Sequence, residues 1–289
     1  MKIKILIPVY NDWQSLSKVI EKINILLIDS KFEISVIIVN DASNHDRLHE
    51  DKEYENIQSI KLINMKINQG HAICLANGIK YAIKNYKFDN LILMDADGED
   101  RPEEIFDLIN KAKKLKNLSI VAKRVKRSEG PIFKMFYTLH KILTLIFTGK
   151  LINFGNYSLI TKKDAETIIK DPTIIYSFSG TLKNKIKQLG NINCIRGKRY
   201  FGLSKMPLFK LIIHSFSIIS VFKMNVFIRS ALFLVLLTYL HPYIGIVSPI
   251  IQFLIVIFNI LIYLISTKSN YKKLENMDLE LMNKEKVTH

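Results

Sequence analysis

The sequence predicts an α/β domain on a mainly parallel sheet covered by helices on both faces, followed by membrane-seeking helices. Three observations carry this. Short apolar runs alternate with amphipathic stretches from about residue 3 to residue 127, polar residues gather at the end of each apolar run, and residues 230–266 contain no Asp, Glu, Lys or Arg over 37 positions. Strands buried on both faces read as near-continuous apolar runs, because helices cover both sides of a parallel sheet. The 289-residue chain is 48% hydrophobic, which is enough for a sizeable core.

Taken in order, residues 4–8 are a short β-rich run. Asn11 or Asp12 then stands where an N-cap would precede Trp13, Leu16, Ile20, Ile23 and Leu27, which share one helix face. Residues 34–39 and 60–64 read as strands, 72–83 as a helix, 91–94 as a strand, 103–115 as a helix and 119–122 as a strand. Between 128 and 195 the pattern is too irregular to fix elements. In sheets of this kind ligands bind at the carboxyl ends of the strands. The polar clusters 10–12, 40–43, 68–71 and 95–100 lie at those ends.

Beyond Pro207 the character changes. Lys210, His214, Ser217, Ser220 and Lys223 recur every three or four positions on an otherwise apolar stretch, the pattern of a helix lying in a membrane interface. The uncharged 230–266 stretch would, as one helix at about 1.5 Å per residue, far overshoot a hydrocarbon layer about 30 Å thick. Two spans joined near His241 to Pro249 fit, with Pro242, Gly245 and Pro249 supplying the break. Lys223 and Arg229 before the hairpin, with Lys268, Lys272 and Lys273 after it, put both ends on the cytoplasmic side. The expected organisation is a domain over 1–207, an interfacial helix over 208–224, a transmembrane hairpin over 225–267 and a charged tail over 268–289. The expectation is an integral membrane protein with its domain and both termini cytoplasmic.

Lys and Arg outnumber Asp and Glu 42 to 26, a net charge of +16. Such an excess suits anionic lipid or phosphorylated ligands, although evenly spread lysines also read as compositional bias. Aromatic residues do not interleave with a basic stripe, which argues against nucleic acid. Cys74 and Cys194 stand far apart, so neither a disulfide framework nor a zinc site is indicated, and a reducing compartment fits. The apolar stretch of MKIKILIPVYN is too short for a signal peptide. No GxxxxGK[ST], GxGxxG or GxSxG occurs, and His45 and His49 in HDRLHE do not make the HExxH of a metalloprotease.

Against this basic background, LILMDADGED (91–100) ends an apolar run in Asp95, Asp97, Glu99 and Asp100. Acids after a strand are ordinary turn residues, and Glu103 and Glu104 suit a helix start behind Pro102. Carboxylates two apart in a turn also reach one hard cation, Mg²⁺ or Mn²⁺, which keeps positions open for phosphate oxygens. Such a cation bridges a diphosphate and neutralises its charge as it leaves.

IPVYND (7–12), VNDAS (39–43), NQGHAICLANGI (68–79) and MDADGEDRPEE (94–104), in this order and spacing, resemble the family 2 glycosyltransferases with the Rossmann-like GT-A fold. RYFGLSK (199–205), followed by an amphipathic helix and a hairpin, looks like the polyprenyl-phosphate glycosyltransferases, a group that includes the dolichol-phosphate and undecaprenyl-phosphate enzymes. The resemblance implies that Pro8, Tyr10 and Asp12 form the first nucleotide-contacting loop and Val39 and Asp41 the second, with Gly70 and Ala96 lining the same site. It implies Asp95, Asp97 and Glu99 as ligands of Mg²⁺ or Mn²⁺. Arg124, Arg127, Arg199 and Lys205 match basic positions that hold phosphates, with Gly202 and Ser204 shaping their loop. A guanidinium fork suits bidentate phosphate contact.

The implied activity is inverting transfer of a sugar from a UDP- or GDP-linked donor to a polyprenyl phosphate at the cytoplasmic face, and a homo-oligomer is compatible with it. The chain departs from the pattern at Asn40 and Ala42 in VNDAS, where the family commonly has Asp and Gly, and in FGNYSLI, where Ser158 replaces an arginine and Asn156 stands in place of an acid proposed as general base. Asn takes up no proton. A phosphate monoester with a second pKa near ~6 is already largely dianionic and needs no base. A membrane-tethered transferase acting on a saccharide, whose hydroxyl would need one, and a silent nucleotide-binding scaffold are the alternatives.

Overall fold

The computed structural model describes residues 1–44, 54–116, 118–126, 131–202, 208–267 and 281–287. The alternation read from the sequence forms β1 (Lys2–Val9), α1 (Trp13–Leu26), β2 (Glu33–Asn40), β3 (Ser59–Met65), α2 (His71–Asn85), β4 (Asn90–Leu93), α3 (Ile105–Lys114) and β5 (Ile120–Lys126). The helix expected from residue 103 opens as a 3₁₀ turn, Pro102–Glu104, before α3. Pro102 starts it at no cost, because a first-turn N–H has no intrahelical partner to lose. Residues left open by the sequence supply α4 (Pro131–Thr148), β6 (Phe154–Thr161), α5 (Lys162–Ile168), α6 (Phe178–Lys185) and β7 (Gly190–Ile195).

The strands form one sheet in the order β7-β5-β6-β4-β1-β2-β3-β8, where β8 is Leu281–Val287. β4, β1, β2 and β3 pair in parallel, whereas β6 runs antiparallel between β4 and β5. Alternate side chains of β1 enter two cores. Ile3, Ile5 and Ile7 pack with Val19 and Ile23 of α1 and Leu108 and Ile109 of α3; Leu6 packs on the other face with Leu75 and Ile79 of α2. A Cβ on Gly78 would lie 2.5 Å from Leu6, so α2 sits close on the sheet and aims its N-terminus at the strand ends.

α7 (Leu208–Ser220), α8 (Lys223–Ile244) and α9 (Val247–Thr267) follow. The last two, at 22 and 21 residues, are long and apolar enough to cross a membrane. Gly245, with φ +55, breaks the chain between them. Ser248 Oγ donates to the Leu237 carbonyl at 2.6 Å and Gln252 Nε2 to Thr238 Oγ1 at 2.9 Å, which holds the two helices side by side. Of the expected tail, residues 281–287 return to the sheet as β8, antiparallel to β3, while Lys268, Lys272 and Lys273 lie outside the described residues.

Candidate active site

The carboxyl ends of β1, β2 and β4 meet the N-terminus of α2, and their loops are tied together. Asn11, at φ +51, donates its N–H to Ser43 Oγ at 2.9 Å, and Asn44 N–H donates to Asn11 Oδ1 at 3.0 Å. Asp41 is buried, and its Oδ1 and Oδ2 accept the N–H groups of Gln69 and Gly70, both at 2.9 Å. Gly70 caps α2 at φ +91, where a side chain would be strained. The Asp41 carboxylate thereby builds the loop that leads into α2, beside its expected place at the nucleotide. Pro8 and Val39 are likewise register partners inside the sheet, with Val39 in the core, so they form a floor. Tyr10 remains open at 43% exposure, and Ala96 is buried. Asp41→Ala would leave two loop N–H groups unpaired and is expected to cost about 2–3 kcal/mol, read as a lowered thermal midpoint.

The acidic turn after β4 folds on itself and under a second segment. Asp100, 2% exposed, accepts Asp95 N–H on Oδ2 at 3.0 Å and Arg124 Nη2 on Oδ1 at 3.1 Å. Asp97 accepts Glu99 N–H on Oδ1 at 3.0 Å and Arg199 Nη1 on Oδ2 at 3.1 Å. The other arm of Arg199 pairs with Asp12, which explains why Asp12, the N-cap of α1, makes no side-chain cap bond. Arg196 forks onto Glu99, its Nε at 2.7 Å from Oε2. Backbone bonds lay this basic segment on the acids: Gly197 N–H donates to the Glu99 carbonyl at 2.8 Å and Tyr200 N–H to the Asp97 carbonyl at 3.0 Å. A Cβ on Gly197 would lie 2.5 Å from the Gly98 carbonyl, and one on Gly98 2.6 Å from the Tyr200 ring, so both glycines are what lets the layers meet.

Asn156 projects from β6, with Nδ2 2.7 Å from His71 Nε2, and that imidazole nitrogen is 3.4 Å from Asp95 Oδ1. Sequence reasoning missed His71 and Arg196, although both sit inside quoted or neighbouring motifs, NQGH and RGKR. Arg124, expected to hold phosphate, pairs with Asp100 through Nη2. Arg127, Lys205, Ser204, His45 and His49 lie outside the described residues, and Gly202 is described at φ +68.

Charge is unbalanced here. Burial and then the neighbouring Asp97 push the Asp95 carboxyl up to about 6, and burial and then Asp95 push Asp100 up to about 7. Burial works against the Arg124 guanidinium, yet Asp100 and Asp95 raise its pKa overall. Among the described residues, five carboxylates (Asp12, Asp95, Asp97, Glu99, Asp100) face three guanidiniums (Arg124, Arg196, Arg199), with His71 beside Asp95, which leaves two negative charges when the acids are all ionised and His71 is neutral. Asp95 Oδ1 is buried with no hydrogen-bond partner among the described residues. An all-oxygen donor set, an orphaned oxygen and a deficit of two charges fit a hard divalent cation. Asp95, Asp97 and Glu99 share the turn after β4, and among the described residues they are not gathered into a ready-made cage. Asp97 and Glu99 are held by arginines.

Residues 4–190 match the family model described as Glycosyl transferase family 2. An uncharacterized glycosyltransferase of Synechocystis sp. is 29% identical over 177 residues, covering 60% of this chain and 54% of that protein. YkcC of Bacillus subtilis, also an uncharacterized glycosyltransferase, is 27% identical over 220 residues, 72% of this chain and 64% of its own length. The chain thus spans under two thirds of these relatives. An undecaprenyl-phosphate 4-deoxy-4-formamido-L-arabinose transferase of Pseudomonas fluorescens is 29% identical over 112 residues, 38% of this chain and 32% of that protein. Among solved structures, glucosyl-3-phosphoglycerate synthase of Mycobacterium tuberculosis, in complex with Mn²⁺ and UDP, superposes with a TM-score of 0.53 at 14% identity, covering 78% of this chain and 79% of that one. At that identity the likeness concerns the fold.

Proposed function

The chain belongs to glycosyl transferase family 2, and from that premise we propose that it moves a sugar from a nucleotide diphosphate to a polyprenyl phosphate at the cytoplasmic face of a membrane. One observation carries the acceptor: the segment lying on the acids, 195–202, leads within a few residues into α7 and the hairpin. α7 exposes Phe209, Ile212 and Ile213. α4 exposes Met135, Leu139, Ile142 and Leu145, three or four positions apart on one face, and packs against α8. Apolar helix faces beside the active site are what a lipid acceptor requires. The relative named for an undecaprenyl-phosphate substrate points the same way.

Asp95, Asp97 and Glu99 would hold Mg²⁺ or Mn²⁺. When bound, it supplies charge neutralisation for the departing diphosphate. The chain's own work is positional: Tyr10 and Asp12 border the donor, and the arginines offset repulsion between two phosphorylated reactants. A dianionic phosphate attacks the anomeric carbon from the face opposite the leaving diphosphate, so Asn156 need not be a base. The positive-inside pattern supports a cytoplasmic domain and termini.

The test is a panel of UDP- and GDP-sugars with Mg²⁺ or Mn²⁺ and polyprenyl phosphate in liposomes, scored for organic-extractable sugar. Lipid-linked product from one donor, lost with EDTA, is expected. Transfer to a soluble saccharide with no lipid-linked product across the panel would overturn the acceptor assignment.

A further inference from the structure

Both oxygens of Asp97 already accept a hydrogen bond. Oδ1 is occupied by Glu99 N–H and Oδ2 by Arg199 Nη1, while the second arm of Arg199 reaches Asp12 in the loop after β1. Resting on the metal-dependent reading above, we propose that Arg199 is the resident counter-ion of the acidic site, a positioning residue that ties Asp12 to Asp97 and competes with the divalent cation for Asp97. Both Arg199 and its two acids are largely withdrawn from solvent, at 15–18% exposure, so their pairing is weakly screened. Backbone bonds at Gly197 and Tyr200, and the close seat of Tyr200 over Gly98, deliver the guanidinium there by construction. A cation arriving at Asp97 Oδ2 meets the positive charge of Nη1 on the same oxygen and is repelled until Arg199 turns away. Each occupant places positive charge against the same oxygen, so the two are alternatives at Asp97.

The sign of the effect separates this from a structural role. If Arg199 merely braced the fold, removing it would loosen the acids and weaken metal binding. As a competitor, its removal tightens binding. The experiment is titration of Mn²⁺ onto the full-length protein in detergent without nucleotide, following the free-ion paramagnetic resonance signal. Arg199→Gln is expected to bind Mn²⁺ about tenfold more tightly than the wild type, the scale of one charge-assisted hydrogen bond. Arg199→Lys, which keeps the charge, should stay within about threefold of wild type. Arg199→Met stands in should the Gln variant melt early.

Unchanged or weaker Mn²⁺ binding in a folded, charge-removed variant would overturn the assignment. Repeating the titration with UDP present separates the two claims. UDP-dependent Mn²⁺ binding without the Arg199→Gln tightening removes the counter-ion alone, whereas no Mn²⁺ binding by any variant removes the metal-dependent reading with it.

Discussion

Asp95→Asn is expected to lower sugar transfer by at least about 10²- to 10³-fold, the range seen when one preorganised charge-stabilising group is lost. The amide keeps the shape of the carboxylate and loses the charge that holds a hard cation. The same variant, without divalent cation, should melt at a higher temperature than wild type. Burial and Asp97 hold the Asp95 carboxyl up at about 6, so the ionised form works against the folded state at neutral pH. The sign follows from linkage. A raised carboxyl favours the fold when protonated, and that contribution is lost as pH climbs through the folded value. Loss of turnover together with gain in stability marks a group retained for chemistry. The checks are initial rates with the productive donor and a melting curve in EDTA; a fall in both would mean that Asp95 serves packing.

Arg124→Leu is expected to have the largest effect on stability, about 3 kcal/mol or more, as for other buried pairs broken on one side. Arg124 and Asp100 are 17% and 2% exposed, so above neutral pH removing the guanidinium leaves Asp100 either a buried unpaired charge or obliged to take up a proton, while it still accepts the Asp95 N–H. Adding Asp100→Asn should recover part of the loss, because the amide oxygen still accepts that N–H and no charge is left unpaired. Chemical denaturation of the four-member set measures the coupling. Additivity would show that Arg124 does not depend on Asp100. Because Asp100 shares the turn with Asp95 and Asp97, Arg124→Leu should also depress transfer, by disordering the turn and not by losing a phosphate contact.

The strand and helix alternation, the hairpin and the acidic turn were legible in the sequence because each is a local pattern. Apolar periodicity is set by burial on a repeating geometry, and a charge-free stretch of 37 residues admits few settings. β6 was not legible, since its place is fixed by pairing with β4 and β5 from elsewhere in the chain. The motifs located the site, yet side-chain partners depend on what the fold brings from a distance. Asp41 is consumed by backbone donors 28 and 29 residues away, and Asp97 by an arginine 102 residues on. The sequence alone therefore determined which elements exist and where the acids gather. Only tertiary structure decided which of those acids are already paired, because electrostatics acts through space and is blind to chain separation.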